Sequence, residues 1–134
     1  MVAELIMLRN VIVLRKKAVM VVPFVSLVME KVEYFKKLFN IYNRNVPIHQ
    51  RIKVRGFFGE NGIPKFIREH ILICTIEKVN LLVNTMLNNT VNVSTAVKNE
   101  ASKKSTSTSG TTILSLGCIV IDELHMMGDG HRGY

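Results

Sequence analysis

Only two cysteines occur in the 134 residues, Cys74 and Cys118, and both sit in apolar, strand-like runs, as small buried hydrophobes do. That scarcity excludes a disulfide framework or a cysteine-built zinc site, and a reducing compartment is expected. Long apolar runs are missing too. The longest, Ala18 to Met29, is interrupted by Pro23 and falls short of the ~18 residues a membrane-spanning helix requires. It reads better as a core strand entering a helix. Glu4 and Arg9 break the first apolar stretch, and no small-residue cleavage site follows, so a secretory signal is not expected. Acids are scarce: 10 Asp and Glu stand against 18 Lys and Arg, a formal charge of +8. Such an excess favours a polyanionic partner and leaves the fold open. No G-x-x-x-x-G-K-[ST] is present, so the sequence carries no phosphate cradle with its lysine. No internal repeat is visible. At 48% hydrophobic and 21% charged, the composition is that of a globular chain of one domain's length at most.

Hydrophobic patterning predicts alternating helices and strands. Val2 to Leu14, apolar at nearly every position, reads as a buried helix that starts without a cap. Ala18 to Val22 reads as a short strand closed by Pro23, which cannot continue a central ladder. Ser26 to Tyr42 has helical spacing. Leu27, Val28, Val32, Phe35, Leu38, Phe39 and Tyr42 form one face, and Glu30, Lys31, Glu33, Lys36 and Lys37 the other. A turn region over Asn43 to Gln50 leads to a strand over Arg51 to Phe58, where basic and apolar residues alternate, and Gly59 to Gly62 break it. Ile71 to Cys74 reads as a buried strand and Ile76 to Leu87 as a helix. Residues 88–112 are dominated by Asn, Ser, Thr and Lys. They cannot bury enough apolar area to offset chain entropy, so a flexible insertion is expected there. The alternation implies an α/β fold with a parallel sheet flanked by helices.

The sharpest chemical signal lies near the end. Cys118 to Ile121, apolar and bounded by Gly117, suit a strand buried on both faces of a parallel sheet, and they run directly into Asp122-Glu123-Leu124-His125. Two carboxylates at the carboxyl end of such a strand lie where open α/β sheets place their ligand crevice. This is the Walker B layout of nucleotide hydrolases: the first acid, Asp122, holds Mg²⁺ and the second, Glu123, orients or deprotonates the attacking water.

D-E-x-H at residues 122–125 resembles motif II of superfamily 2 DExH-box helicases, and IDELHMMGDGHRGY resembles the polymerase-theta-like branch of that family. Val2-Ala3-Glu4-Leu5 resembles the residues that follow the family's phosphate-binding Gly-Lys-Thr. Lys17 to Lys31 resembles motif Ia and Ile73 to Asn80 motif Ib, while Pro23-Phe24-Val25-Ser26 and His131-Arg132-Gly133-Tyr134 point to the theta-like branch. The resemblance covers most of the chain outside residues 88–112. It implies a partial first RecA-like domain, residues 1–134, an incomplete P-loop NTPase domain that starts just after Walker A and ends just after motif II. The strand carrying the phosphate loop would be missing close to the Walker B strand, so a loss of central pairing is expected, as in a fragment or an incomplete gene model.

For the parent enzyme the resemblance implies ATP and Mg²⁺ as cofactors, single-stranded or branched DNA and a second RecA-like domain as partners, DNA repair as the process and the nucleus as the place. Little nucleotide binding is expected of this chain alone. His125 would couple ATP state to the second domain; the alternative is a packed histidine. Asp129 and Arg132 read as a local ion pair closing a turn. Thr75 and Glu77 suit a helix start by capping and charge, and free amides there also suit a nucleic-acid phosphate. Pro23, Phe24 and Ser26 have the same two readings, and Lys31, one turn on, adds a point charge. Arg55 and Gly56 open a stretch resembling the family's glycine-containing loop along a strand's backbone, although glycines also merely end strands. Phe57 and Phe58 are read as core rather than base-stacking residues. The alternative to an enzyme is a non-catalytic nucleic-acid-binding module without a phosphate loop.

Overall fold

A computed structural model describes residues 2–60, 68–96 and 113–123. In chain order it contains helix α1 (Val2–Ile12), strand β1 (Lys17–Val21), helix α2 (Val25–Arg44), strand β2 (Val54–Phe57), strand β3 (Ile71–Cys74), helix α3 (Ile76–Ala96) and strand β4 (Leu116–Ile121). The four strands form one parallel sheet in the order β2-β3-β1-β4. This is the α/β arrangement expected of a RecA-like domain fragment.

The sheet divides the core in two because strand side chains alternate between faces. Ala18, Met20, Ile71 and Ile73 point to one face with Met7 and Val11 of α1 and Val28, Phe35 and Phe39 of α2. Val19, Val21, Leu72 and Cys74 point to the other, with Val79, Leu82 and Met86 of α3. Every residue of β3 is buried, as its apolar run implied. Full burial of each such side chain stabilises by about 1.5–3 kcal/mol. Burial also pushes the Cys74 thiol up to about 12, so this cysteine is a packing residue rather than a nucleophile.

Several expectations need correction. α1 is not buried all round: Met7 and Val11 face the sheet, while Val2, Leu5 and Ile6 are exposed. Leu38 of α2 is exposed as well, although Val28, Phe35 and Phe39 are buried and Leu27, Val32 and Tyr42 pack against the same core cluster. β2 is shorter than Arg51 to Phe58. Asn43 takes both backbone groups of Ile52, accepting from its amide at 2.8 Å and donating to its carbonyl at 3.0 Å. The Lys53 amide donates to His70 Nδ1 at 3.1 Å, so a regular ladder begins only at Val54. α3 passes the expected end at Leu87 and runs to Ala96, taking in 88–96. Thr85 and Thr90 satisfy their hydroxyls on the carbonyls one turn back, Leu81 and Met86. The Ile113 amide reaches Thr90 Oγ1 at 3.4 Å, tying the approach to β4 onto the helix. Residues 97–112 lie outside the described residues.

β4 differs most. It pairs with β1 and, among the described residues, with no other strand. Its burial alternates instead of being complete. Cys118 and Val120 pack against the α1–α2 cluster, whereas Ile119 and Ile121, on the opposite face, are 42% and 46% exposed. The four described strands are contiguous, and β2 and β4 form the two edges of the sheet.

Candidate nucleotide and nucleic-acid site

Because all four strands are parallel, their carboxyl ends share one edge, and the turns leaving them carry most of the residues singled out above. β4 ends at Ile121. The Asp122 amide still donates to the Val21 carbonyl at 2.9 Å, so the carboxylate is held at the end of the ladder beside β1. Glu123 follows with φ +55°. A non-glycine residue in this left-handed region costs roughly 1–2 kcal/mol, offset here by its amide donating to Asp122 Oδ1 at 3.1 Å. The two acids therefore form one turn with a defined backbone.

Lys31 completes this corner. From the second turn of α2 its Nζ lies 3.6 Å from Asp122 Oδ2 and 3.4 Å from Glu4 Oε1 of α1. Burial opposes the charge on Lys31, but the two carboxylates outweigh it and raise the pKa above that of an ordinary lysine. The ammonium thus joins both helices of one face to the acidic turn. Glu4, in sequence a break in an apolar run and part of the Val2-Ala3-Glu4-Leu5 resemblance, acquires this partner only in the fold. No local pattern signals a partner 27 residues away.

The turn from β1 to α2 is anchored by the Val22 amide on the Cys74 carbonyl at 2.9 Å. Pro23 follows, and Phe24 stands at the N-cap of α2 with extended dihedrals and no side-chain cap. Phe24 and Ser26 are exposed there. Between β3 and α3, Thr75 is buried, and its carbonyl accepts from the Val79 amide at 3.0 Å. Glu77 is exposed in the first turn of α3. The neighbouring Lys78, which the sequence reading passed over, places Nζ 5.4 Å from the Phe57 ring centroid, an attractive cation–π geometry.

Arg55 and Gly56 do not join this group. Arg55 Nη1 pairs with Glu69 Oε1 at 3.2 Å, toward the amino half of the sheet. Burial works against the Glu69 charge, but backbone hydrogen bonds and the Arg55 guanidinium hold its pKa below the usual carboxylate range. Gly56 lies under α2: an added Cβ would stand 2.9 Å from Phe58 Cε1 and 3.3 Å from Val28 Cγ1. Packing alone accounts for the glycine. A cleft of about 420 Å³ opens beside it, lined by Met29, Glu33, Lys36 and Phe58 among others. Phe57 is buried in the α3-side core and Phe58 packs against the other cluster, as expected of core residues. His125, Asp129 and Arg132 lie outside the described residues.

The chain matches the DEAD/DEAH box helicase family over residues 1–134. It belongs to that family. As a helicase domain it is 36% identical over its full length to DNA polymerase theta of Mus musculus and 33% identical to that of Drosophila melanogaster. To the Helicase POLQ-like protein of Caenorhabditis elegans it is 31% identical over 99% of its length. The chain spans only 4%, 5% and 12% of these relatives, respectively.

Does the Asp122-Glu123 turn fit Mg²⁺? Among the described residues no group of three or more His, Cys, Asp or Glu side chains gathers to hold an ion. Mg²⁺ in nucleotide enzymes takes one or two carboxylates, with phosphates and waters supplying the remaining oxygens. Asp122 at the sheet edge fits that donor set for a metal arriving with a nucleotide, and not a free-standing metal site. No described helix is long and apolar enough to cross a membrane.

Proposed function

We propose that this chain is part of the first RecA-like domain of an ATP-dependent DNA helicase or translocase of the polymerase theta type, acting in DNA repair in the nucleus. The observation that carries the reading is the Asp122-Glu123 turn. It ends a parallel strand at the carboxyl edge, hydrogen-bonded to β1 and next to the β1–α2 turn, in a chain of the helicase family. With ATP and Mg²⁺ bound, the metal would neutralise phosphate charge, with Asp122 as its protein ligand. Glu123 would orient the hydrolytic water and take its proton at the side-chain carboxylate. His125 would carry nucleotide state toward a second RecA-like domain.

Pro23, Phe24, Ser26 and Lys31 follow β1, and Thr75 and Glu77 follow β3, on the edge where single-stranded or branched DNA would lie. In this reading the exposed first turns of α2 and α3 meet phosphates through backbone amides. Arg55 and Gly56 are weaker candidates, since Glu69 and the α2 packing already account for them.

The test is DNA-stimulated ATPase turnover. The chain alone, without a phosphate loop in its sequence, is expected to show none. A longer protein joining this chain to a Gly-Lys-Thr loop should show turnover that Glu123→Gln abolishes. Turnover unaffected by that change would refute the assignment of Glu123.

A further inference from the structure

Among the described residues a group of basic side chains stands at the edge opposite the acidic turn, where the parallel strands begin. Arg15 and Lys16 occupy the turn before β1, Lys17 opens β1, Lys53 precedes β2 and His70 precedes β3. Arg15, Lys16 and Lys53 are exposed, while Lys17 and His70 are half-buried.

Short bonds hold these entries together. The Lys53 amide donates to His70 Nδ1 at 3.1 Å, and the His70 amide donates to the Lys53 carbonyl at 2.9 Å. Lys17 Nζ donates to the Glu69 carbonyl at 2.7 Å and Lys16 Nζ to the Leu114 carbonyl at 2.8 Å. The carboxylate facing this group is Glu69, which Arg55 also holds. Burial, first, and then Lys17, Lys53 and Arg15 lower the His70 pKa, against a smaller opposing effect of Glu69. The native fold therefore gathers three cations around a half-buried imidazole, a repulsion that a bound anion would relieve.

We propose that this amino edge is a second nucleic-acid surface, gripping the sugar-phosphate backbone on the side of the sheet away from Asp122. Neighbouring strands lie about 4.8 Å apart, so Lys17 on the entry of β1 and Lys53 on the entry of β2, with the His70 imidazole between them on the entry of β3, form a row that suits phosphates of one strand. A backbone of regularly repeating charge fits such a row, and the chain belongs to a helicase family.

Two measurements on the chain decide the question. In the first, His70 is titrated by NMR with and without a fluorescein-labelled thymidine 20-mer. A phosphate backbone on this edge should move the His70 pKa upward, and an unmoved titration overturns the proposal without any variant. In the second, anisotropy titrations across salt compare Arg15→Ala/Lys53→Ala with Lys36→Ala/Lys37→Ala on α2. Single strands release about 0.7 ions per phosphate contact. Losing two contacts should therefore cut the affinity ratio between 50 and 200 mM salt by about sevenfold. The α2 pair should leave that ratio unchanged, and equal losses from both pairs would reduce the surface to generic basicity. A poly-glutamate peptide that binds as tightly and moves His70 as far would also overturn the nucleic-acid assignment. Thr75→Ala reports on the carboxyl edge, so failure there is distinguishable from failure here.

Discussion

Removing the Lys31 ammonium tests whether the corner at Asp122 is electrostatically built. The informative change is Lys31→Met, which retains the apolar stem and deletes the charge. Unit charges about 4 Å apart interact by about 1 kcal/mol in water and about 4 kcal/mol at an effective dielectric of 20. The Lys31 and Asp122 side chains are 25% and 38% exposed, so solvent screens the pair appreciably. Measured exposed pairs contribute about 0.2–1 kcal/mol, and the upper end applies because Glu4 shares the same ammonium at 3.4 Å. Urea unfolding of the native chain, Lys31→Met, Asp122→Asn and the double variant should give a coupling of about 1 kcal/mol. The folded pKa of Lys31 is raised, so this contribution is complete below the ordinary lysine value of about 10.4 and fades as pH climbs through the folded value. Additivity within about 0.3 kcal/mol at pH 7 would show that Lys31 and Asp122 are merely neighbours.

Gly117→Ala should destabilise by about 1–3 kcal/mol, since a Cβ there would lie 2.5 Å from Asn10 Oδ1 and 2.6 Å from Lys16 Cβ, the latter fixed close to the backbone. Thermal unfolding reads this, and an unchanged midpoint would mean that α1 is not seated on β4. His70 has a lowered folded pKa, so the unfolded chain binds more protons just below the ordinary value of about 6.5. Stability should therefore decline as pH falls through that value toward the folded one, and His70→Gln should flatten the slope. Denaturant midpoints between pH 7.5 and 5 with the same slope in both proteins would reject the environment described for His70.

Local chemistry was legible from the residues alone. The apolar run Ile71 to Cys74 suited a buried strand, and the spacing of Val28, Phe35 and Phe39 suited a helix with one apolar face. An apolar run entering Asp122-Glu123 placed two acids at a strand end because a run of consecutive apolar residues marks a strand locally, although burial on both faces was expected there and the structure alternates. Packing decided the remainder. β4 became an edge strand with Ile119 and Ile121 uncovered because strand order depends on which chains lie alongside, which no local pattern encodes. α3 absorbed 88–96 because a helix already seated by Leu82 and Met86 propagates through weak helix formers, with the Thr90 hydroxyl bonding back to the Met86 carbonyl. Arg55 turned to Glu69, and Lys31 gathered Glu4 and Asp122, through space across long sequence separations. Net charge was countable from composition. That Arg15, Lys16, Lys17 and Lys53 share one edge, away from the acidic turn, was decided only when parallel pairing set the amino ends of the strands together.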